Sequence, residues 1–157
     1  MKIKLLTIGK TDSRPLQQLI DEYCKRLGFY IHFNMDIIPD IKNTKNLTTK
    51  QQKIAEGKEL LKKIEKSDAV ILLDENGKLY NSIQFSAFLQ KKMNSGLKKI
   101  VFVIGGPYGF SDDVYNRCNE KVSLSPMTFS HQMVRLFFTE QLYRSFTILR
   151  NEPYHHH

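Results

Sequence analysis

Ile100-Val101-Phe102-Val103-Ile104-Gly105-Gly106-Pro107-Tyr108-Gly109 is an unbroken apolar, mostly β-branched run that stops abruptly at glycine, glycine and proline. Such a run reads as a strand buried in a parallel sheet, delivering a glycine loop at its carboxyl end. Open α/β sheets bind their ligands at that end. The glycines leave bare backbone for a ligand to approach, and Pro107 fixes the local turn. The loop is not a phosphate cradle, because the chain has neither Gly-x-x-x-x-Gly-Lys-Ser/Thr nor an early Gly-x-Gly-x-x-Gly opening a long helix. Taken alone, it serves equally well as a plain structural turn.

Downstream, Leu124-Ser125-Pro126-Met127-Thr128-Phe129-Ser130-His131 follows a short strand and holds back from helix before a long one capped by Ser130 or Thr128. Two irregular loops at successive strand ends make one pocket. Upstream, Ala69-Val70-Ile71-Leu72-Leu73 is another buried strand, ending in a turn at Asp74-Glu75-Asn76-Gly77-Lys78. Asp74 there is a candidate ligand contact or simply the cap of the turn. Ile3 to Ile8 is a first strand, closed by Gly9, and Leu16, Leu19, Ile20, Tyr23 and Leu27 recur at helical spacing between a cap at Asp12 or Ser13 with Pro15 and an end at Gly28. A second strand runs from about Tyr30 to Ile38, with His32 on its polar face. A polar loop, 39–49, precedes a helix over Thr48 to Lys66 that is expected to bury Ile54, Leu61 and Ile64; Gly57 in its middle marks close packing or mere tolerance. Ser82 to Met93 forms a further helix, and Ser111 with Asp112 and Asp113 caps a short one, where the helix dipole favours carboxylates. Alternating strands and helices give an α/β sandwich with a parallel-rich sheet.

At 157 residues the chain is one domain with a real core. Its net charge of +8 and pI near 9.5 favour an acidic partner, nucleic acid being the commonest, although a lysine-rich surface alone has the same look. Lys42, Lys45 and Lys50 in and beside the polar loop are candidates for RNA phosphates or a solvated face. Cys24 and Cys118 have neither metal-ligand nor redox spacing, and no segment is long and apolar enough to span a bilayer, so a cytoplasmic protein with reduced thiols is expected. His156 and His157 are set aside as a tag remnant. The last helix, about Gln132 to Arg150, is apolar nearly all round, with only Glu140, Arg144 and Thr147 as a polar stripe. A second buried side, most economically a homodimer interface, follows.

The chain resembles the RlmH family of SPOUT-class methyltransferases, which methylate N3 of a pseudouridine in 23S ribosomal RNA. The resemblance spans essentially the full length, residues 1–155 as a single domain, and is carried by Ile104 to Gly109, Leu124 to Phe129, His131-Gln132-Met133-Val134-Arg135, Glu140 to Arg144 and Glu152-Pro153-Tyr154-His155. It implies a SPOUT fold with a C-terminal trefoil knot that holds S-adenosylmethionine, with no metal, since the sulfonium already activates its methyl group. Carried over residue by residue, the cofactor contacts are Leu73, Gly105, Leu124, Ser125, Pro126, Met127, Thr128 and Phe129. The catalytic candidates are Arg135, Arg144, Tyr154 and His155, the Pro-Tyr-His tail reaching an active site shared with the other subunit. Tyr154 would stack on the base, and His155 would handle a proton or a phosphate. Arg135 and Arg144 are also read as salt-bridge partners, with Glu140 four residues before Arg144, and His131 reads as a helix-start group. With no appended RNA-binding domain, the enzyme is expected to act on the assembled 70S ribosome. Two rivals remain open: a SPOUT enzyme acting on another RNA, such as a ribose 2′-hydroxyl of transfer RNA, and a non-enzymatic ribosome-binding factor.

Overall fold

A computed structural model describes residues 1–156, and the reading of His157 lies outside them. Along the chain come β1 (Lys2–Ile8), α1 (Arg14–Leu27), β2 (His32–Ile38), α2 (Thr49–Lys62), β3 (Ala69–Leu79), α3 (Ser82–Asn94), β4 (Lys99–Ile104), α4 (Asp112–Arg117), β5 (Glu120–Ser123) and α5 (His131–Leu149). The strands form one parallel sheet of five in the order β2-β1-β4-β3-β5. Leu5 lies between Met35 and Phe102, and Leu73 pairs with Ile104, so the strands finish nearly level at their carboxyl ends.

Both faces of the sheet are covered, which is why its central strands are apolar without alternation. Ile3, Leu5, Ile71, Ile100 and Phe102 meet Leu27 of α1, Phe85 and Leu89 of α3, and Phe138, Leu142 and Phe146 of α5. Leu6, Ile8, Val70, Leu72, Val101 and Val103 meet Leu60 of α2 and Val114 of α4 on the opposite face. Ser13 caps α1 and Thr48 caps α2, the latter in a reciprocal capping box with Gln51. Ser130, not Thr128, caps α5 by accepting from the Met133 amide at 3.2 Å.

Four local expectations change. β3 does not end at Leu73 in a turn; the chain bulges over 74–77 and pairs again, so that both Leu73 and Lys78 stand opposite Val122. Gly77 permits this, since a Cβ there would lie 2.6 Å from the Val122 backbone. α2 ends at Lys62 and buries Glu56, Gly57 and Leu60, whereas Ile54 is 39% exposed. The helix is turned by contact with α4: a Cβ on Gly57 would stand 2.3 Å from Ser111 Oγ, so Gly57 marks close packing. Ser111 precedes α4 without making a capping bond, its hydroxyl being buried beneath Gly57. Thr147 of α5 is fully buried and donates to the Arg144 carbonyl at 2.7 Å, so it is no part of a polar stripe.

After β5 the chain leaves the sheet edge and crosses the carboxyl ends of the neighbouring strands to reach β1, where Gln132 Nε2 donates to the Lys10 carbonyl at 3.1 Å. This return crossing is the segment to which the resemblance assigns the knot. Among the described residues, no helix is long and apolar enough to cross a membrane. Cys24 and Cys118 are free and half-buried; burial pushes the Cys24 thiol up to about 11, away from reactivity.

Candidate functional site

The bulge of β3, the loop after β4 and the loop after β5 meet around a cavity of about 560 Å³ at the carboxyl end of the sheet. Leu73, Gly105, Leu124, Ser125, Met127, Thr128 and Phe129, all anticipated as cofactor contacts, line it; Pro126 does not. Each wall has a local cause. In the β4 loop the Gly109 amide donates to the Gly106 carbonyl at 3.1 Å, closing a turn with Pro107 in its second place and Gly109 at φ 84°. Gly105 packs tightly under the Phe110 ring: a Cβ there would lie 3.1 Å from it, so the ring would have to shift by a few tenths of an ångström to admit one. In the β5 loop the Ser125 hydroxyl accepts from the Met127 amide at 3.0 Å while its carbonyl accepts from Ser123 Oγ at 3.0 Å, holding the segment out of helix. Thr128 Oγ1 donates to Glu75 Oε2 at 3.3 Å and ties that loop to the bulge.

Asp74 caps the turn, and the same side chain borders the cavity. Its carboxylate accepts from the Asn76 amide at 2.8 Å, as a turn cap does, and from the Tyr115 hydroxyl, and it also lines the cavity. Burial and that bond to Asp74 raise the Tyr115 phenol far above its usual range, so Tyr115 stays a neutral donor. Glu75, Tyr115 and Lys53 line the cavity without having been anticipated. Lys53 comes from α2, and no motif in its neighbourhood points to the loops it joins. His131, at the first turn of α5, also faces the cavity. Its volume suits a nucleoside-sized ligand, with apolar walls and bare peptide groups for the rings. The two carboxylates at its bulge favour a ligand that carries positive charge.

The catalytic candidates lie elsewhere. Arg135 is 0% exposed; its guanidinium donates to the Ile8 carbonyl at 2.8 Å and to Thr11 Oγ1 at 3.1 Å, and its Nε has no partner. It fastens α5 to the carboxyl end of β1. Arg144, Tyr154 and His155 form a separate group beside α5, next to Tyr23 of α1. Tyr154 Oη donates to Glu140 Oε1 at 3.0 Å and lies 3.3 Å from the Tyr23 hydroxyl, and the Arg144 guanidinium stacks over its ring at 4.6 Å. Arg144 also pairs with Glu140 and lies 3.3 Å from His155 Nδ1. Burial first, then the bonds to Tyr23 and Glu140, push the Tyr154 phenol well above its ordinary value. Arg144 borders a second, more apolar groove of about 730 Å³, lined among others by Leu19, Tyr23, Leu136 and Phe137, which shares Ser123, Leu124 and Phe129 with the first cavity.

Sequence relatives fit this architecture from end to end. A family described as "Predicted SPOUT methyltransferase" matches residues 1–155. Proteins named "Ribosomal RNA large subunit methyltransferase H" are similar over 156 residues and 99% of both chains: that of Flavobacterium johnsoniae at 67% identity and that of Flavobacterium psychrophilum at 68%. The protein of the same name from Porphyromonas gingivalis is 56% identical over the same span. The solved structure of the SpoU methyltransferase AviRb from Streptomyces viridochromogenes, a complex with AdoMet, has 10% identity and a TM-score of 0.44, covering 96% of this chain and 61% of that one. Matched over residues 1–155 to the family and over 156 residues to the Flavobacterium proteins, the chain belongs to the SPOUT methyltransferases, in the group of the large-subunit ribosomal RNA methyltransferase H proteins.

Proposed function

We propose that this protein uses S-adenosylmethionine to methylate N3 of a pseudouridine in 23S ribosomal RNA, acting as a homodimer on the assembled ribosome. The observation that carries the reading is the end-to-end match, at 67% identity, to a protein named for methylation of large-subunit ribosomal RNA. S-adenosylmethionine supplies a methyl group activated by its sulfonium. Leu73, Leu124 and Phe129 wall the adenosine site, and the peptide groups of Gly105 and of 124–129 are open to its ring edges. Asp74 and Glu75 suit the net positive charge of this cofactor, which a phosphate-bearing one lacks.

The imide nitrogen of the acceptor base attacks only once it gives up its proton, so a base or a nearby positive charge has to act on it. In our reading, Arg144, Tyr154 and His155 do this at the cavity of the partner subunit. Their own protomer holds them beside the adjoining groove instead. Tyr154, kept neutral by its surroundings, stacks and donates; His155 takes the proton and Arg144 supplies the charge. The groove of Leu19, Leu136 and Phe137, together with the 37% exposed Met133, supports a second copy covering α5. Arg135 acts from behind, by holding α5 in place. Lys42, Lys45 and Lys50 are exposed in and just after the loop that leaves the carboxyl end of β2, on the cavity's side of the sheet, and serve as phosphate contacts.

The test is transfer of labelled methyl from S-adenosylmethionine to 70S ribosomes lacking the modification, with free 50S subunits alongside and nucleosides resolved by mass spectrometry. Label on pseudouridine N3 with 70S alone is expected. Label on a ribose, or only on another RNA, transfers the reading to the rival SPOUT activity, and ribosome binding without label to a binding factor.

A further inference from the structure

Glu56 is a carboxyl group in an unexpected place. It sits on α2 within the layer packed under the sheet and is 3% exposed. Oε1 accepts from Gln52 Nε2 at 3.1 Å, one turn earlier, while Oε2 is buried without a partner. Burying half a carboxyl unpaired is unfavourable, and packing alone would be served better by leucine. What the carboxyl touches is the wall of the cavity. A Cβ placed on Gly106 would stand 2.4 Å from Oε2, 2.7 Å from Oε1 and 2.8 Å from Cδ, and these are its three nearest atoms. Gly106 opens the turn whose closing bond comes from Gly109. On either side of Glu56 the same helix reaches the site's surroundings: Lys53 lines the cavity, and Gly57 packs on Ser111.

We propose that Glu56 is a positioning residue for the cofactor wall: its carboxyl, braced by Gln52, sets where Gly106 stands and so fixes the turn from Gly106 to Gly109. The pairing fits both partners, since the carboxyl fills the space the glycine leaves and a Cβ on Gly106 would displace that carboxyl from its place. It also makes α2, which follows the lysine loop directly, the support of the cavity's floor. The inference rests on the cofactor reading above only for the ligand used to probe it.

The test combines two measurements on the full-length protein. Amide hydrogen exchange is followed at Gly106, Tyr108 and Gly109, and S-adenosylmethionine affinity is measured by calorimetry, for the wild type, Glu56→Gln, Glu56→Asp, Glu56→Ala, Gly106→Ala and the double variant Glu56→Ala/Gly106→Ala. Glu56→Ala is expected to speed exchange at the turn and weaken the cofactor about 10-fold, Glu56→Asp to do the same to a lesser degree, and Glu56→Gln to stay within about threefold of the wild type. Gly106→Ala alone is expected to weaken binding, and adding Glu56→Ala to restore it in part, a rescue that a merely stabilising residue does not give. Unchanged exchange and affinity in both Glu56→Asp and Glu56→Ala, or a double variant no better than Gly106→Ala, overturns the proposal. Should the wild type itself not bind S-adenosylmethionine, the cofactor reading falls while exchange at the turn still decides the role of Glu56.

Discussion

The cofactor cavity and the C-terminal tail were anticipated by the same resemblance, yet the protomer treats them differently. Residues of the cavity come from the bulge after Leu73, the turn at Gly105 and the loop from Leu124 to Phe129, and a single chain brings them together. Arg144, Tyr154 and His155 are instead bonded among themselves and to Glu140 and Tyr23, beside a groove adjoining the cavity. The sheet register places strand-end loops next to one another automatically. A helix-borne tail has no such constraint, and its neighbours depend on what packs against the helix.

The sharpest way to break this comparison is to remove one side of it. Truncation after Pro153 is expected to lower methyl transfer by more than about 100-fold, the scale of lost proton handling, while calorimetry finds cofactor affinity nearly unchanged. Loss of cofactor binding in that variant would merge the two regions into one site. The converse variant, Gly105→Val, puts a branched side chain against Phe110 and into the cavity, and is expected to weaken S-adenosylmethionine by at least about 10-fold in the same titration.

Arg135 belongs to neither region, and Arg135→Met separates support from chemistry. It leaves the Ile8 carbonyl and Thr11 hydroxyl without their donor, at a cost of about 2–4 kcal/mol, or a melting temperature lower by about 5–10 °C. Wild-type stability with lost transfer would return Arg135 to a direct catalytic role. Smaller still is Tyr154→Phe, which gives up the bonds to Glu140 and Tyr23 and about 1 kcal/mol of tail docking but keeps the ring under Arg144. Proteolysis of the tail should quicken slightly, while kcat on 70S ribosomes falls far less than on truncation.

The smallest effect concerns pH. Burial, with Asp40 adding and the Gln52 bond opposing, raises the Glu56 carboxyl above its unfolded value. The folded state therefore holds that proton more tightly, and the stabilisation is complete below the unfolded pKa and lost as pH rises through the folded one. Glu56→Gln removes the penalty of ionisation, so its melting temperature relative to the wild type is expected to rise from pH 4 to pH 7. An identical difference at both pH values excludes the linkage.

By itself the sequence determined the alternation of strands and helices, the two buried faces of the central strands, the glycine turn after Ile104 and the loop that holds back from helix before Ser130. All of these are local: continuous apolar runs, glycine and proline positions, and caps act within a few residues. It was less informative where a contact from elsewhere overrode the local signal. β3 continues past Leu73 because β5 offers it backbone partners across a bulge, and α2 exposes Ile54 and buries Glu56 because Gly57 seats the helix on Ser111. Only the tertiary structure decided that Arg135 is an anchor, that Lys53 and Tyr115 join the cavity, and that the tail rests beside Tyr23. Each depends on which element passes next to which, and that follows from sheet order and helix packing rather than from the residues nearby in sequence.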